Sequence, residues 1–293
     1  MIKQIDRETL RKIQLLELLC LEELSRICEK HNINYFLIGG TLIGAARNKG
    51  FIPWDDDIDI GMLRQDFDRF IEICKTELNT KKFFLQTPQS EKGNADFEIA
   101  RIRLNDTHFK EHHRRNLNLH DGFFIEILPY DDLPENDKTA KKYYFKFKYL
   151  KRIVGIRMGY RYQLGKMYKR ILFYIITFFS HIIPLKILYN KAVNYHKQFE
   201  NTNSSKVFLL GGAYNYKKES HLRSSVQEFT QLEFEGKMYP VPKNYDMFLR
   251  EEYGDYMTPP PPEKQINPCL VDGVDFGSYE DYIKNVIKSS TDC

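Results

Sequence analysis

The first thirty residues carry apolar side chains at intervals of three to five positions, a spacing that places them along one helix face. Those positions are Ile13, Leu16, Leu19, Leu24 and Ile27. Asp6 precedes them and has the short, oxygen-bearing side chain that helix N-caps favour. The pattern predicts a packing helix from Asp6 to about Lys30.

Shorter apolar and β-branched runs follow and predict strands. The predicted strands are residues 35–38, 83–86, 97–104, 120–129 and 207–210; helices are predicted at 64–78 and 245–252, and a β-turn segment at 234–242. Gly39 and Gly40 break the first strand, and a short helix is predicted to begin at Leu42. The alternation of helices and strands predicts an α/β or α+β fold.

A polar, proline-containing stretch at residues 131–137 predicts a loop and a boundary between residues 1–135 and 136–293. Lysines and aromatic residues are then interleaved at 138–152. The first interpretation there is an amphipathic helix with a basic solvent face, and the second is a contact with anionic lipid. Stacking on single-stranded nucleic acid is the weakest, since no RNA-binding motif accompanies it. The apolar segment 171–183 predicts a buried helix first and a membrane-resting helix second.

Composition limits the functional classes. Of the 293 residues, 42% are hydrophobic and 29% are charged, which is typical of a globular protein. A net charge of +4 is too small to indicate a nucleic-acid partner, and none is predicted. The five cysteines form no C-x-x-C pair, which favours reduced thiols. Residues 1–12 hold no apolar segment, so a signal peptide is not predicted and a cytoplasmic location is.

The candidate chemistry lies in residues 35–62, where four acids fall within five positions. Asp57 and Asp59 alternate with Ile58 and Ile60, so in a strand the two carboxylates share one face. Adjacent carboxylates repel and raise each other's pKa. A hard cation such as Mg²⁺ or Mn²⁺ relieves this repulsion, because oxygen ligands suit it.

The residues before these acids favour an anion. Gly40 and Thr41 precede a helix start, where backbone N–H groups bind phosphate well. A phosphate cradle beside metal-binding carboxylates is what phosphoryl transfer needs. Acidic runs are more often solvated loops, but such a loop does not require alternating isoleucines. A calcium loop is rejected because Ile60 stands where that loop needs glycine.

Three charged residues outside the acidic run have open interpretations. Arg101, in the predicted strand 97–104, is either a solvent-face charge or a phosphate clamp. Arg47 is either a partner for a diphosphate or a structural ion pair with a neighbouring acid. Glu126 is the one acid of an apolar strand, where a carboxylate is costly unless it is paired with arginine or bound to metal.

These residues resemble the signature of the LicD family, phosphotransferases of the nucleotidyltransferase superfamily. The resemblance rests on Gly40-Thr41, on Gly44-Ala45-Ala46-Arg47 and on the run from Lys49 to Ile60. A second set of matching positions lies at 240–246 and 253–257, so it extends from about Tyr35 to Pro262. The family includes bacterial phosphocholine transferases that decorate cell-surface glycans, and it is related to the fukutin-type ribitol-phosphate transferases.

The resemblance implies a nucleotidyltransferase-like mixed sheet flanked by helices, with a helical C-terminal part. It also implies Mg²⁺ or Mn²⁺ held by three catalytic acids beside a phosphate-binding set. The acids are Asp57, Asp59 and Glu126, and the phosphate-binding residues are Gly40, Thr41, Arg47 and Arg101. The chain departs from the family at Glu126, where the pattern usually has aspartate.

The implied reaction moves a phosphorylated alcohol, such as phosphocholine, from a CDP-activated donor to a hydroxyl of a surface glycan or its lipid-linked precursor. The implied location is the cytoplasm, with peripheral contact at the inner face of the membrane. Two alternatives stay open: a nucleotidyltransferase that releases pyrophosphate, and a catalytically silent protein of glycan assembly.

Overall fold

A computed structural model describes residues 3–91, 94, 96, 98–160, 166–212 and 215–291. The α-helices within these ranges are Arg7–His31 (α1), Gly39–Asn48 (α2), Arg64–Glu77 (α3), Asp137–Met158 (α4), Met167–Ser180 (α5), Leu185–His196 (α6), Tyr216–Glu219 (α7), Tyr245–Tyr253 (α8) and Glu280–Thr291 (α9). The strands are Lys3–Gln4 (β1), Phe36–Leu37 (β2), Asp59–Leu63 (β3), Phe83–Gln86 (β4), Ala100–Leu104 (β5), His108–Glu111 (β6), Phe124–Asp132 (β7), Lys206–Leu209 (β8), Ser220–Leu222 (β9), Phe229–Phe234 (β10), Lys237–Pro242 (β11) and Leu270–Asp275 (β12).

The central sheet is mixed and has the order β2-β3-β7-β5-β4, with β8 paired to the end of β7 and β9 paired to β8. Strands β3 and β7 run parallel, and the other pairs are antiparallel. A second sheet has the order β1-β12-β6, and β10 and β11 form a hairpin. The predicted α/β class with a mixed sheet and flanking helices is confirmed.

Helix α1 follows directly from its sequence. The Asp6 side chain accepts a hydrogen bond from the Thr9 backbone N–H at 2.8 Å, as an N-cap does. The apolar stripe packs on the sheet, and Leu16 and Leu24 are fully buried there. Asn32 ends the helix in the left-handed conformation, with its N–H donated to carbonyls of the last turn. The helix predicted over these residues is confirmed.

The glycine stretch behaves differently from its prediction. Gly39 and Gly40 form the first turn of α2, not a break before it. Strand β3 begins at Asp59, so Asp57 lies before the strand, outside regular secondary structure. The predicted strand 97–104 is observed from Ala100, and Phe97 lies outside the described residues.

The prediction of a polar loop at residues 131–137 was wrong for the first two of these residues. Strand β7 continues through Asp132, and Asp131 and Asp132 are both buried. Asp131 pairs with Arg64 of α3, and Asp132 pairs with Arg223. Ion pairing with distant arginines allows these carboxylates to stay inside the sheet.

The C-terminal residues return to the core formed by the N-terminal ones. Strand β12 pairs with β6 and with β1, and the β10–β11 hairpin packs on α2 and β2. Buried Phe248 and Val271 belong to the same hydrophobic cluster as Leu16 and Ile60. Two smaller clusters lie under α4, α5 and α6. The boundary near residue 135 stays a prediction.

The segment 171–183 is not a buried helix, and the first interpretation of it was wrong. Helix α5 buries Phe173 and Thr177 but exposes side chains such as Ile171 and Phe178. Periodicity alone cannot separate a buried helix from one that presents apolar side chains outward. No single helix in the described part of the chain is long and apolar enough to cross a membrane, although α5 and α6, bent by 116°, pass that test together.

Gly44 is required by close packing, and its replacement is testable. An alanine Cβ there would lie 2.4 Å from the Gly50 carbonyl oxygen and 3.2 Å from the Ile52 backbone nitrogen. Because both are backbone atoms, α2 must move, and we expect Gly44→Ala to lower the free energy of unfolding by about 1–3 kcal/mol. Urea unfolding measures this. Gly273→Ala is the matched control, since a Cβ there meets nothing within 4 Å; equal losses would contradict the packing argument.

Candidate functional site

The candidate acids meet where β3 and β7 begin side by side. The parallel register places Asp59 opposite Glu126, and the antiparallel register of β5 places Arg101 opposite Glu126. Asp57 stands two residues before the β3 register pair, at the same end of the sheet. Three neighbouring strands therefore bring residues 59, 101 and 126 into one row.

The N-terminus of α2 approaches these carboxylates closely. A Cβ on Gly39 would lie 2.8 Å from Asp59 Oδ2, and one on Gly40 would lie 2.1 Å from Asp55 Oδ2. Gly39 also has φ +58°, a conformation that favours glycine. The two glycines thus let the acids reach the helix end, where first-turn N–H groups have no intrahelical acceptor.

Thr41 is used to hold β3 against α2. Its side chain is buried, and its hydroxyl oxygen accepts a hydrogen bond from the Asp59 backbone N–H at 2.9 Å. This bond fixes Asp59 beside the first turn of α2. The predicted phosphate cradle at Gly40 and Thr41 stays a prediction, in which the free N–H groups of that turn are the donors.

The acids share an environment that opposes their ionisation. Burial, followed by the charge of Asp59, raises the pKa of Asp57 well above its ordinary value. Burial, followed by Glu126, does the same to the pKa of Asp59, and burial with Asp56 raises the pKa of Asp55 to about 7. None of these aspartates has a salt bridge in the described ranges.

The raised pKa values predict an unusual pH dependence of stability. A carboxyl whose folded pKa exceeds its unfolded pKa holds a proton that the unfolded chain has lost, so stability falls as pH rises between the two. For Asp55 that interval runs from its ordinary value of 3.8 to about 7. We therefore expect the melting temperature, measured with a chelator present, to fall from pH 5 to pH 7. An Asp55→Asn, Asp57→Asn double variant should flatten this slope, and an unchanged slope would contradict the assignment.

Glu126 enters the site already paired with Arg101. Arg101 Nη2 lies 2.6 Å from Glu126 Oε1, and Arg101 Nη1 lies 2.9 Å from Asp96 Oδ2. Arg101 is buried, and although burial opposes its charge, Glu126 and Asp96 outweigh it and raise its pKa. Of the two interpretations of Arg101, the structure shows neither an exposed charge nor an open clamp. The arginine is a buried link between two carboxylates, and its role toward phosphate stays a prediction.

Arg47 forms no ion pair with Asp55 or Asp56. Its Nη1 donates to the Tyr256 carbonyl oxygen at 2.8 Å, and its guanidinium lies 6.0 Å from the centre of the Trp54 ring. Arg47 therefore ties α2 to the segment after α8. Its contact with a diphosphate stays a prediction.

Three residues of the site were missed in the sequence. Gln14 Nε2 donates to the Asp55 carbonyl oxygen at 2.8 Å, and Asn267 Nδ2 donates to Asp56 Oδ1 at 2.8 Å. Buried Glu17 lies beneath the acids, and burial together with Asp56 raises its pKa far above the ordinary value. Gln14 and Glu17 lie on the helix face assigned to packing, and Asn267 is distant in the chain, so no local pattern marked them.

The carboxylate oxygens of the site are the kind of ligand that a hard cation prefers. Within the described ranges, no three His, Cys, Asp or Glu side chains are arranged to hold a metal ion on their own. Mg²⁺ is commonly bound by one or two carboxylates with substrate phosphates completing its shell. Asp57 and Asp59 fit that arrangement, because they are oxygen donors, the charge of Asp59 opposes the ionisation of Asp57, and neither forms a salt bridge with another described residue.

The family model and the similar proteins found by comparison agree on one family. The family model described as LicD/FKTN/FKRP, nucleotidyltransferase domain, matches residues 32–154. The lipopolysaccharide cholinephosphotransferase LicD of Haemophilus influenzae is 30% identical over 88% of this chain and 94% of its own length. An uncharacterised protein of Rickettsia typhi is 38% identical over 43% of this chain and 38% of its own. The human ribitol 5-phosphate transferase FKRP is 45% identical over 14% of this chain and 8% of its own.

Proposed function

This chain belongs to the LicD family and is a phosphotransferase, and we propose that it moves a phosphorylated alcohol from a CDP-activated donor to a hydroxyl of a cell-surface glycan or its lipid-linked precursor. The relative that matches nearly its whole length is named a lipopolysaccharide cholinephosphotransferase. Phosphocholine is therefore the first candidate for the transferred group, and ribitol phosphate is the second.

One observation carries the proposal: a cluster of aspartates lies at the N-terminus of α2, and none of them forms a salt bridge with another described residue. Burial and the charge of Asp59 raise the pKa of Asp57, and burial and the charge of Glu126 raise the pKa of Asp59, as expected for crowded carboxylates. The adjoining helix end offers backbone N–H groups to an anion. A metal-bound diphosphate satisfies both halves of this arrangement, because it brings the cation to the acids and the anion to the helix.

Mg²⁺ or Mn²⁺ bound here would neutralise charge on the diphosphate. Asp57 and Asp59 would hold that ion, and the first turn of α2 would hold the phosphate oxygens. The acceptor hydroxyl oxygen forms a bond to the phosphorus that bears the alcohol, the bond to the bridging oxygen breaks, and CMP leaves. Glu126, positioned by Arg101, orients the acceptor hydroxyl and receives its proton.

The reaction is proposed to take place in the cytoplasm, at the inner face of the membrane, because nucleotide-activated donors are made there and lipid-linked acceptors are anchored there. Donor binding itself requires no membrane, so donor and metal can be tested in solution.

Product analysis tests the proposal. The purified protein is incubated with CDP-choline, CDP-ribitol, CDP-glycerol or CTP, each with Mg²⁺, Mn²⁺ or a chelator, and nucleotide products are separated by chromatography. We expect metal-dependent release of CMP from one CDP-alcohol, increased by a glycan acceptor. Pyrophosphate release from CTP would replace the proposal with the nucleotidyltransferase alternative. Formation of the same products with the chelator present would show that the reaction does not require a metal ion.

A further inference from the structure

Helices α5 and α6 expose an apolar surface that no other part of the described chain covers. Eleven of the twenty large hydrophobic side chains exposed in the described residues fall within residues 167–187. Ile182 is 80% exposed, Met167 is 76% exposed and Phe178 is 73% exposed. We call residues 167–187 the apolar hairpin. Scattered exposed apolar residues need no explanation, but a contiguous set this large marks an interaction surface.

The charge around the apolar hairpin is strongly one-sided. Residues 138–199 contain fifteen lysines and arginines and no aspartate or glutamate. The remaining residues hold 29 basic and 40 acidic side chains, so the chain as a whole is nearly neutral. Lys166 and Lys191 are exposed on either side of the hairpin, and Arg170 and Lys186 are exposed within it, near its two ends. Exposed apolar side chains with basic side chains beside them match an interface of hydrocarbon and anionic headgroups.

The geometry favours a helix pair that rests in one leaflet. Helix α5 has 14 residues, which is about 21 Å of helix and short of the roughly 30 Å of a bilayer core. Helix α6 leaves it at 116°. Both helices also bury one face against α4, through Phe173 and Leu188 among others. A pair held to the protein along one side can insert only its other side into lipid.

The turn between α5 and α6 is held in place by α4. Arg157 Nη1 donates to the carbonyl oxygens of Ser180 and Ile183, each at 2.6 Å. These bonds satisfy backbone groups at the end of α5, where the helix itself leaves them without partners. The most exposed tip of the hairpin is therefore presented in a fixed orientation.

Shared packing and hydrogen bonds connect the base of the hairpin to the candidate site. Tyr160, which packs in one cluster with Phe173 of α5, donates its hydroxyl to Asn94 Oδ1 at 3.2 Å. Asn94 Oδ1 also accepts from the Asp96 backbone N–H, and Asp96 pairs with Arg101 beside Glu126. The surface and the site thus belong to one continuous packed structure.

We propose that the apolar hairpin and its flanking basic residues dock the protein on an anionic lipid surface without crossing it. The occupant is one leaflet of a bilayer. Its hydrocarbon region matches the exposed apolar side chains of the hairpin, and its anionic headgroups match the basic residues beside them. This surface is separate from the acid cluster, and its test needs neither donor nor acceptor.

Flotation of the full chain with vesicles tests the proposal. Vesicles of phosphatidylglycerol mixed with phosphatidylcholine are compared with vesicles of phosphatidylcholine alone. We expect binding to the anionic vesicles that decreases at high salt. A Phe178→Ser, Ile182→Ser double variant should lower the partition coefficient about ten-fold or more. A Met247→Ser, Ile266→Ser variant is the matched control, because these residues are exposed elsewhere on the chain.

The charge contribution is tested separately. Lys186→Glu with Lys191→Glu should lower the partition coefficient about twenty-fold on anionic vesicles. Lys264→Glu with Lys284→Glu, exposed charges outside residues 138–199, should change it little. Circular dichroism and melting temperature establish that each variant is folded. The proposal is overturned if the unmodified protein does not float, or if it forms a dimer that the Phe178→Ser, Ile182→Ser change dissociates.

Discussion

We expect Asp59→Asn to lower the rate of phosphoryl transfer about 10³-fold, which corresponds to about 4 kcal/mol of transition-state stabilisation. The amide keeps the size of the side chain and leaves the Thr41 bond to the Asp59 backbone N–H in place. It removes the negative charge that a metal-bound diphosphate requires. Steady-state release of CMP from the preferred CDP-alcohol measures the loss.

The same change should not destabilise the metal-free protein. Burial and Glu126 already oppose ionisation of Asp59, so a neutral side chain relieves a repulsion in the folded state. We expect the melting temperature of Asp59→Asn with chelator to equal or exceed that of the unmodified protein. Asp281→Asn, an exposed acid on α9, is the control for the loss of one charge. Full activity of a folded Asp59→Asn variant would remove this residue from the mechanism.

Asp131→Asn should lower the free energy of unfolding by about 3–5 kcal/mol, because it leaves buried Arg64 without its main counter-charge. Asp131 accepts from Arg64 at 2.6 and 2.9 Å and contacts His196 at 3.2 Å. Burial opposes the ionisation of Asp131, but Arg64 and His196 outweigh it and hold the pKa of that carboxyl below its ordinary value. Urea unfolding at pH 7 measures the change.

Two controls accompany the Asp131→Asn measurement: a pH series, and a substitution of a second carboxylate near Arg64. A depressed folded pKa adds stability above the unfolded pKa of about 3.9, so the difference between variant and unmodified protein should shrink as pH falls below about 4. Asp68 approaches the same Arg64 at 3.4 Å, but its side chain is 59% exposed. Asp68→Asn should therefore cost less than about 1 kcal/mol. Similar losses for the two variants would show that burial of the pair is not what stabilises β7.

The parts of the fold that local patterns govern could be predicted from the sequence. Helix α1 has an N-cap and an apolar stripe, and strand β4 has an apolar run between polar residues, so both were found near their observed ends. The loop predicted at residues 131 and 132 was wrong because these aspartates lie in strand β7, where Arg64 and Arg223, both distant in the chain, stabilise them. Composition reports the polarity of a residue, not the partner that permits its burial.

The candidate site divides in the same way. Asp57, Asp59 and the glycines lie in one contiguous motif, which made them visible as a group. The pairing of Arg101 with Glu126 depends on the register of β5 against β7, and the bond from Asn267 to Asp56 depends on how the C-terminal segment returns to the core. Register and chain return are set by the packing of the whole fold, so a local pattern does not contain them.

The return of the C-terminal segment also sets the order of events during synthesis. Asn267 follows Asp56 by 211 residues, and β12, which completes the small sheet, is translated after it. At 5–20 residues per second, roughly 10–40 seconds separate the two on the ribosome. The nascent chain therefore carries its acidic motif for that time without the amide that holds it, and the site matures only after Asn267 has been translated.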